Sequence, residues 1–240
     1  LLLHGYAGAG PFPQCFEFAT KSESQAAAKA KEQKFLEQAV NYVDLVKPRM
    51  FAPFAGTYVL GSRLTVLNNS RGVPSLSDAV SFIQEGIAVE SKGILLEPFD
   101  ELTVASGHLK KSNRTPRLTQ DTYLSQISQK PLDYDDDSWD DSELVGLLDQ
   151  AHQRFSRKAS EIGLRNAPPV VVQTSRVAYE VTLDCSPKEV PLQGERAEPF
   201  LRITLDHNLL HRLLRGPRYA HWNNAEIGSH LHWEWRPHNF

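Results

Sequence analysis

Leu1-Leu2-Leu3-His4-Gly5-Tyr6-Ala7-Gly8-Ala9-Gly10-Pro11-Phe12-Pro13 decides how the rest of the chain is read. Three branched apolar residues bounded by glycines spell a fully buried strand that runs straight into a tight turn. A buried strand needs neighbours on both sides, so further sequence is expected upstream of Leu1. In an α/β sheet a turn of this kind, at the carboxyl edge of a strand, is where ligands bind. His4 stands at that edge, where a histidine serves either as a functional group or as a plain structural one.

Working outward, Ser22 to Val46 carries Ala26, Ala30, Leu36, Ala39, Val40 and Val43 at helical spacing among Lys, Glu and Gln, which predicts a long helix. Pro48 ends it. Arg49 to Phe54 then reads as a second short buried strand leading to Ala55-Gly56-Thr57. Strand, turn, helix, strand and turn make one βαβ unit, whose strands run parallel and whose two turns open at the same edge. A helix over Ser75 to Gln84, capped by Ser75 or Ser77, and strands over Gly93 to Pro98 and Glu101 to Ser106 complete a first domain, 1–106. From Gly107 to Asp137 the composition turns polar and then acidic, ending in Asp133-Tyr134-Asp135-Asp136-Asp137, and reads as a linker or excursion. Residues 138–240 form a small α+β module. It has a helix over Trp139 to Ile162, strands over Val170 to Gln173, Val177 to Leu183 and Phe200 to Leu205, and a short helix over Asn208 to Leu214 stopped by Gly216-Pro217.

At 240 residues and 40% hydrophobic the chain can bury a sizeable core. A net charge of -3 provides no broad basic field, which argues against a nucleic-acid partner. No apolar run approaches the roughly 20 residues that span a bilayer. Cys15 and Cys185 are the two cysteines. They stand too far apart in sequence for a zinc knuckle or an iron–sulfur cluster and are expected to be reduced thiols of a cytoplasmic protein.

Several constellations bear on chemistry. A His-Gly pair after a strand suggests the oxyanion hole of an α/β hydrolase, but the sequence has no Gly-x-Ser-x-Gly elbow. Gly5, Gly8 and Gly10 miss the GxGxxG spacing, and Pro11 and Pro13 stand where a dinucleotide-binding helix would begin. His207 and His211 lie at i and i+4, and His230 and His232 share one face of an extended segment; each pair could ligate a metal or pack among Trp222, Trp233 and Trp235. Trp222-Asn223-Asn224-Ala225-Glu226-Ile227-Gly228 sets amides and a carboxylate beside an indole. That combination suits a sugar or nucleotide, with Asn223, Asn224 and Glu226 as binding residues, and it equally suits a turn with a helix cap.

The run Gly5 to Pro13, the charged helix, and Val46-Lys47-Pro48-Arg49-Met50-Phe51-Ala52-Pro53-Phe54-Ala55-Gly56 together resemble the second half of the CMP-N-acetylneuraminate hydroxylases and their bacterial relatives, within the metallo-β-lactamase-fold superfamily. Asp137-Ser138-Trp139-Asp140 and, more loosely, Trp222 to Gly228 share the likeness. The resemblance implies an α/β chain forming the second half of an αββα metallo-β-lactamase-like sandwich, followed by the α+β module. It implies iron or zinc, and a [2Fe-2S] Rieske cluster, held by residues outside this chain in a missing N-terminal half or partner chain, with an electron-transfer protein as a further partner. The superfamily's His-x-His-x-Asp-His motif does not occur here. Where its hydrolases carry a histidine ligand after the second strand, this sequence has Phe54-Ala55-Gly56, as the hydroxylases do. On this likeness His4 and Tyr6 are the catalytic candidates, and His4 is a candidate metal ligand. Gly8, Gly10, Phe54, Ala55, Gly56, Asn68 and Asn69 are the candidate contacts of a small-molecule substrate.

Three functions follow as expectations. The first is the C-terminal portion of a Rieske-coupled iron oxygenase acting on a nucleotide-sugar or similar polar substrate. The second is a metal-dependent hydrolase of the same fold. The third is a non-catalytic module over 139–240 that binds a ligand, with a strand and helix pattern faintly like small sterol-carrier-type domains.

Overall fold

A computed structural model describes residues 1–56, 58–112, 120–194 and 196–237. The chain is mixed α/β with open sheets. It divides into two units, one of Leu1–Ala9 with Ser22–Lys130 and one of Gly10–Lys21 with Pro131–Phe240.

The first unit is built on β1 (Leu2–His4), α1 (Lys21–Val46), β2 (Met50–Pro53), a 3-10 segment (Ser62–Ser70), α2 (Leu76–Gly86) and β3 (Lys92–Gly93), followed by β4 (Glu101–Thr103), β5 (His108–Lys110) and α3 (Gln120–Ser128). β1, β2 and β3 form one parallel sheet in that order. α1 buries Leu36, Ala39 and Val43, one face at i, i+3 and i+7, against Phe51 of β2 and Ala79 and Ile83 of α2. α2 starts where Ser75 Oγ accepts from Asp78 N at 3.1 Å, the capping geometry that serine favours.

Three expectations change here. β1 is half-buried rather than fully buried: it lies at the edge of its sheet, with Leu3 51% exposed and Leu1 44% exposed. The stretches 93–98 and 101–106 do not pair with each other. Phe99 takes a left-handed backbone at φ 67°, and Asp100 folds its carboxylate back onto Glu97 N (2.9 Å), Ser112 N (2.9 Å) and Lys111 Nζ (2.8 Å). β4 therefore pairs one turn later, with β5, while β3 pairs with β2. The stretch 107–137 is likewise not a free linker. β5 and α3 belong to the first unit, Pro131 to Asp137 to the second, and the boundary falls after Lys130. Thr57 and residues 113–119 of that stretch lie outside the described residues.

The second unit holds a 3-10 turn (Asp141–Glu143), α4 (Leu144–Glu161), β6 (Val170–Gln173), β7 (Ala178–Val181), β8 (Lys188–Glu189), β9 (Phe200–Thr204), α5 (His207–Arg215), α6 (Trp222–Ile227) and β10 (His232–Arg236). Its five strands are ordered β10-β9-β6-β7-β8, with β6 and β9 parallel and the other pairs antiparallel. β-branched Val170 to Val172 suits a central strand. Leu148 of α4 and Leu210, Leu213 and Leu214 of α5 pack with Val172 and Ile203 of the sheet. Arg202 and Glu234 face each other across β9 and β10 and are joined at 2.6 Å, an opposed charge pair on neighbouring strands. Residues 10–21 join this unit along β10: Glu17 N donates to Trp233 O (2.8 Å), Trp233 N donates to Cys15 O (2.7 Å), and Phe16 stacks on Trp233. The glycine-proline run read as one turn is thus split, with Gly5 to Ala9 in the first unit and Gly10 to Pro13 in the second.

Candidate functional site

In the first unit the two turns open side by side. The parallel register sets His4 opposite Pro53, and Phe54 N donates to His4 O at 2.9 Å. His4 is buried and lies 6.2 Å, centroid to centroid, from the Phe51 ring. Its Nδ1 lies 3.2 Å from Gly5 O, which can only accept, so the proton sits on Nδ1. Nε2 is buried without a hydrogen-bond partner among the described residues. Burial pushes the imidazole below its ordinary pKa, so at neutral pH this nitrogen presents a lone pair able to take a proton or bind a cation.

The other turn residues have different roles. Tyr6 is fully buried in the core with Leu36 and Phe51, and its ring underlies Gly56, where an added Cβ would stand 2.5 Å from Tyr6 Cε1. Tyr6 therefore shapes the second turn from beneath rather than facing a cleft. Gly8 is held against Phe35, whose Cζ would lie 2.2 Å from a Cβ there. Ala55 has φ 55°, an uncommon conformation for a residue with a Cβ, and Phe54 beside it is exposed. Gly10 has φ 136° and belongs to the second unit.

Asn68 turns inward. Its Nδ2 donates to Leu60 O (2.9 Å) and Thr65 O (3.0 Å), and its Oδ1 accepts from Leu60 N (2.9 Å). The amide is thus a clamp on the loop after the second turn. Asn69 borders a cavity of about 250 Å³ with Lys29, Glu32 and Gly72.

The second unit contains the group of metal-competent side chains that the described residues bring together: Asp141, His207 and His211. Asp206 caps α5 by accepting from Asn208 N (2.8 Å), which fixes the first turn and sets both imidazoles on one helix face. Asp140 caps the 3-10 turn by accepting from Ser142 N (2.9 Å) and brings Asp141 opposite them. His207 Nε2 lies 2.8 Å and His211 Nε2 3.2 Å from the same oxygen, Asp141 Oδ1. Both imidazoles are buried, while the Asp141 side chain is 47% exposed, so the cluster has two closed walls and one open side. Behind His207, Thr174 Oγ1 lies 3.1 Å from Nδ1. Trp139 stacks on His211 at 6.0 Å and 8°, with the Arg215 guanidinium 4.4 Å from the indole centroid. The hydrogen bond from His207 holds the Asp141 carboxyl below its usual range, and burial pushes His211 down.

The pair at 207 and 211 was legible from its spacing; Asp141 and Thr174 were not, because nothing local marks them. His230 and His232 are not brought together as ligands: His230 Nδ1 lies 2.8 Å from Tyr134 Oη, whereas His232 is exposed at the start of β10. Asn223, Asn224 and Glu226 lie on the single-turn helix α6. Asn224 lines a polar cavity of about 230 Å³ with Tyr134, Arg212 and His230, and Trp222 borders an apolar cavity of about 300 Å³. That apolar cavity lies between α4, α5 and the sheet, and is lined by Leu148, Phe155, Val181, Leu201 and Leu214 among others. No described helix is long and apolar enough to cross a membrane. No family model, curated protein or solved structure matches the chain.

Proposed function

We propose that this chain is the C-terminal portion of a metal-dependent enzyme of metallo-β-lactamase fold, an oxygenase similar to the CMP-N-acetylneuraminate hydroxylases, acting on a nucleotide-sugar or similar polar substrate in the cytoplasm. One observation carries the reading: two parallel strands end in register, both turns open at their shared carboxyl edge, and His4 holds a buried, unpartnered Nε2 there. The exposed apolar side of β1, with Leu1 and Leu3, is where the facing half of an αββα sandwich would pack. His4 is one donor, short of the three or four protein ligands that zinc or iron sites use. The residues at this edge do not hold the ion by themselves, and the proposal assigns iron or zinc, and the [2Fe-2S] Rieske cluster, to an upstream half or partner chain. Within this chain His4, buried at that edge, serves as a neutral base or single ligand, and the exposed turn around Phe54 as the rim of the proposed cleft. Metal and acid-labile sulfide analysis of the intact gene product tests the proposal. Iron with sulfide is expected; zinc alone, with no iron or acid-labile sulfide, would sink the oxygenase, and absence of any bound metal would overturn the reading.

A second reading rests on the apolar cavity of about 300 Å³ in the second unit, whose lining is almost wholly aliphatic and aromatic. It makes that unit a binding module for an apolar or amphipathic ligand. Titrating the whole chain with fatty acids and with CMP-sugars separates the readings: saturable fatty-acid binding lost in Leu210→Trp supports the module, and binding of neither refutes it.

A further inference from the structure

We infer that Asp141, His207 and His211 form a divalent transition-metal site, separate from the β1–β2 edge, with zinc(II) or a metal of similar preference as its ligand. Two imidazoles and a carboxylate are the donor set that such ions take, and sites with three protein ligands keep an open position for water or a further ligand. Here His207 Nε2 and His211 Nε2 lie 2.8 and 3.2 Å from Asp141 Oδ1, near the roughly 3.4 Å that separates ligands about 2.1 Å from a tetrahedral ion, and all three donor atoms lie within 4.8 Å of one another, so a small rotation of the imidazoles closes the set around one ion. The open position falls on the Asp141 side, the one exposed wall of the cluster.

The protonation pattern fits ligation. Without metal, both Nε2 atoms donate to Asp141 Oδ1, and Thr174 donates to His207 Nδ1. With metal, the His207 proton moves to Nδ1, 3.1 Å from Thr174 Oγ1; that oxygen also accepts from Arg176 N and Val177 N (3.1 Å each), so it takes the new bond in place of one of these while its own hydroxyl turns to Val177 O, 3.4 Å away. That is the supporting hydrogen bond metal-bound histidines characteristically make. His211 lacks it: its Nδ1 is buried with no hydrogen-bond partner. His207 is accordingly the stronger ligand of the two. Three features oppose a cation here, and each is limited. The Arg215 guanidinium over Trp139, beside His211, is itself paired with the Glu143 carboxylate. Arg176 lies 3.5 Å from Asp141 Oδ2, but its side chain is mostly exposed and screened by water. The positive end of α5 is offset by the Asp206 carboxylate that caps it.

The test uses the 240-residue chain, stripped with chelator and titrated with Zn²⁺ by calorimetry and with Co²⁺ by visible absorption. One equivalent is expected to bind, with a Co²⁺ band that Zn²⁺ displaces. Asp141→Asn retains the shape of a side chain only half-buried and should therefore stay folded; it is expected to weaken binding by at least about a hundredfold. His207→Gln should weaken it more than His211→Gln, and Thr174→Val, which also removes the acceptor of Arg176 N and Val177 N, should weaken it by about tenfold to a hundredfold. Circular dichroism on each variant separates loss of ligand from loss of fold. Absence of saturable binding by the folded chain would overturn the inference. So would equal affinity in wild type, Asp141→Asn and His207→Gln, which would place the ion on the exposed histidines instead.

Discussion

Replacing Asn68 by alanine separates two roles that its sequence position allows, contact with a substrate and a clamp on the loop after the second turn. Its side chain supplies three hydrogen bonds of 2.9 to 3.0 Å, two of them to the main chain of the buried Leu60. Alanine leaves the Leu60 N–H and C=O without these partners. A buried polar group left unmet costs about 1–3 kcal/mol, so two groups with some relief from entering water give roughly 2–3 kcal/mol. The loss is local to 58–70, because the clamp spans only eight residues. By hydrogen exchange with mass spectrometry, peptides covering 58–70 should exchange roughly 30- to 150-fold faster, at 1.4 kcal/mol per decade, while those covering α1 and α2 change little. Unchanged protection over 58–70 would refute the clamp and leave Asn68 free to serve as the ligand contact proposed for it.

Two further outcomes follow from the same kind of reading. Gly56→Ala should destabilise the first unit by about 1–3 kcal/mol through overpacking against Tyr6, whereas Gly5→Ala, which meets nothing within 4 Å, should be near neutral; equal denaturant midpoints for the two would contradict the tight approach. The hydrogen bond from Lys111, with those from Ser112 and Glu97, lowers the Asp100 carboxyl to about 2, so the stability it contributes is full above the ordinary aspartate value near 4 and disappears as pH falls through about 2. An NMR titration placing Asp100 at the ordinary value, or an Asp100→Asn variant with the same acid sensitivity as wild type between pH 4 and 2, would show the anchor to be idle.

How much of this could be read from the sequence depends on how far apart the deciding residues lie. α1, α2, α4 and α5 each carry their own apolar spacing, and Ser75 and Asp206 stand as caps before α2 and α5, so their positions were legible to within a few residues. β1 and β2 were legible because apolar residues stop at glycine turns. The metal-competent cluster was half legible: the spacing of His207 and His211 belongs to one helix, but Asp141 meets them across 66 residues of chain. The same blindness to distance hid the Asp100 anchor, which turns β4 away from β3 through contacts with Lys111 and Ser112.

The largest misreading concerns where the second unit begins. Residues 138–240 look self-contained because they hold every strand of the five-stranded sheet. Yet β10 at the sheet's edge has its outer main chain met by Cys15 and Glu17, its Trp233 stacked on Phe16, and its Arg236 joined to Glu17 at 3.2 Å. Gln14 reaches Ser229 Oγ at 2.9 Å just before that strand. A fragment cut at residue 131 would lose all of these contacts and leave a strand of Trp233, Glu234 and Trp235 with an open hydrogen-bonding edge, the kind of surface that recruits other strands. The aromatic Phe12, Phe16 and Phe18, which follow the glycine run in sequence, therefore belong to the second unit, packed on one another and, through Phe16, on Trp233 of its edge strand. It follows that any test of ligand or metal binding by the second unit needs residues 10–21 together with 131–240.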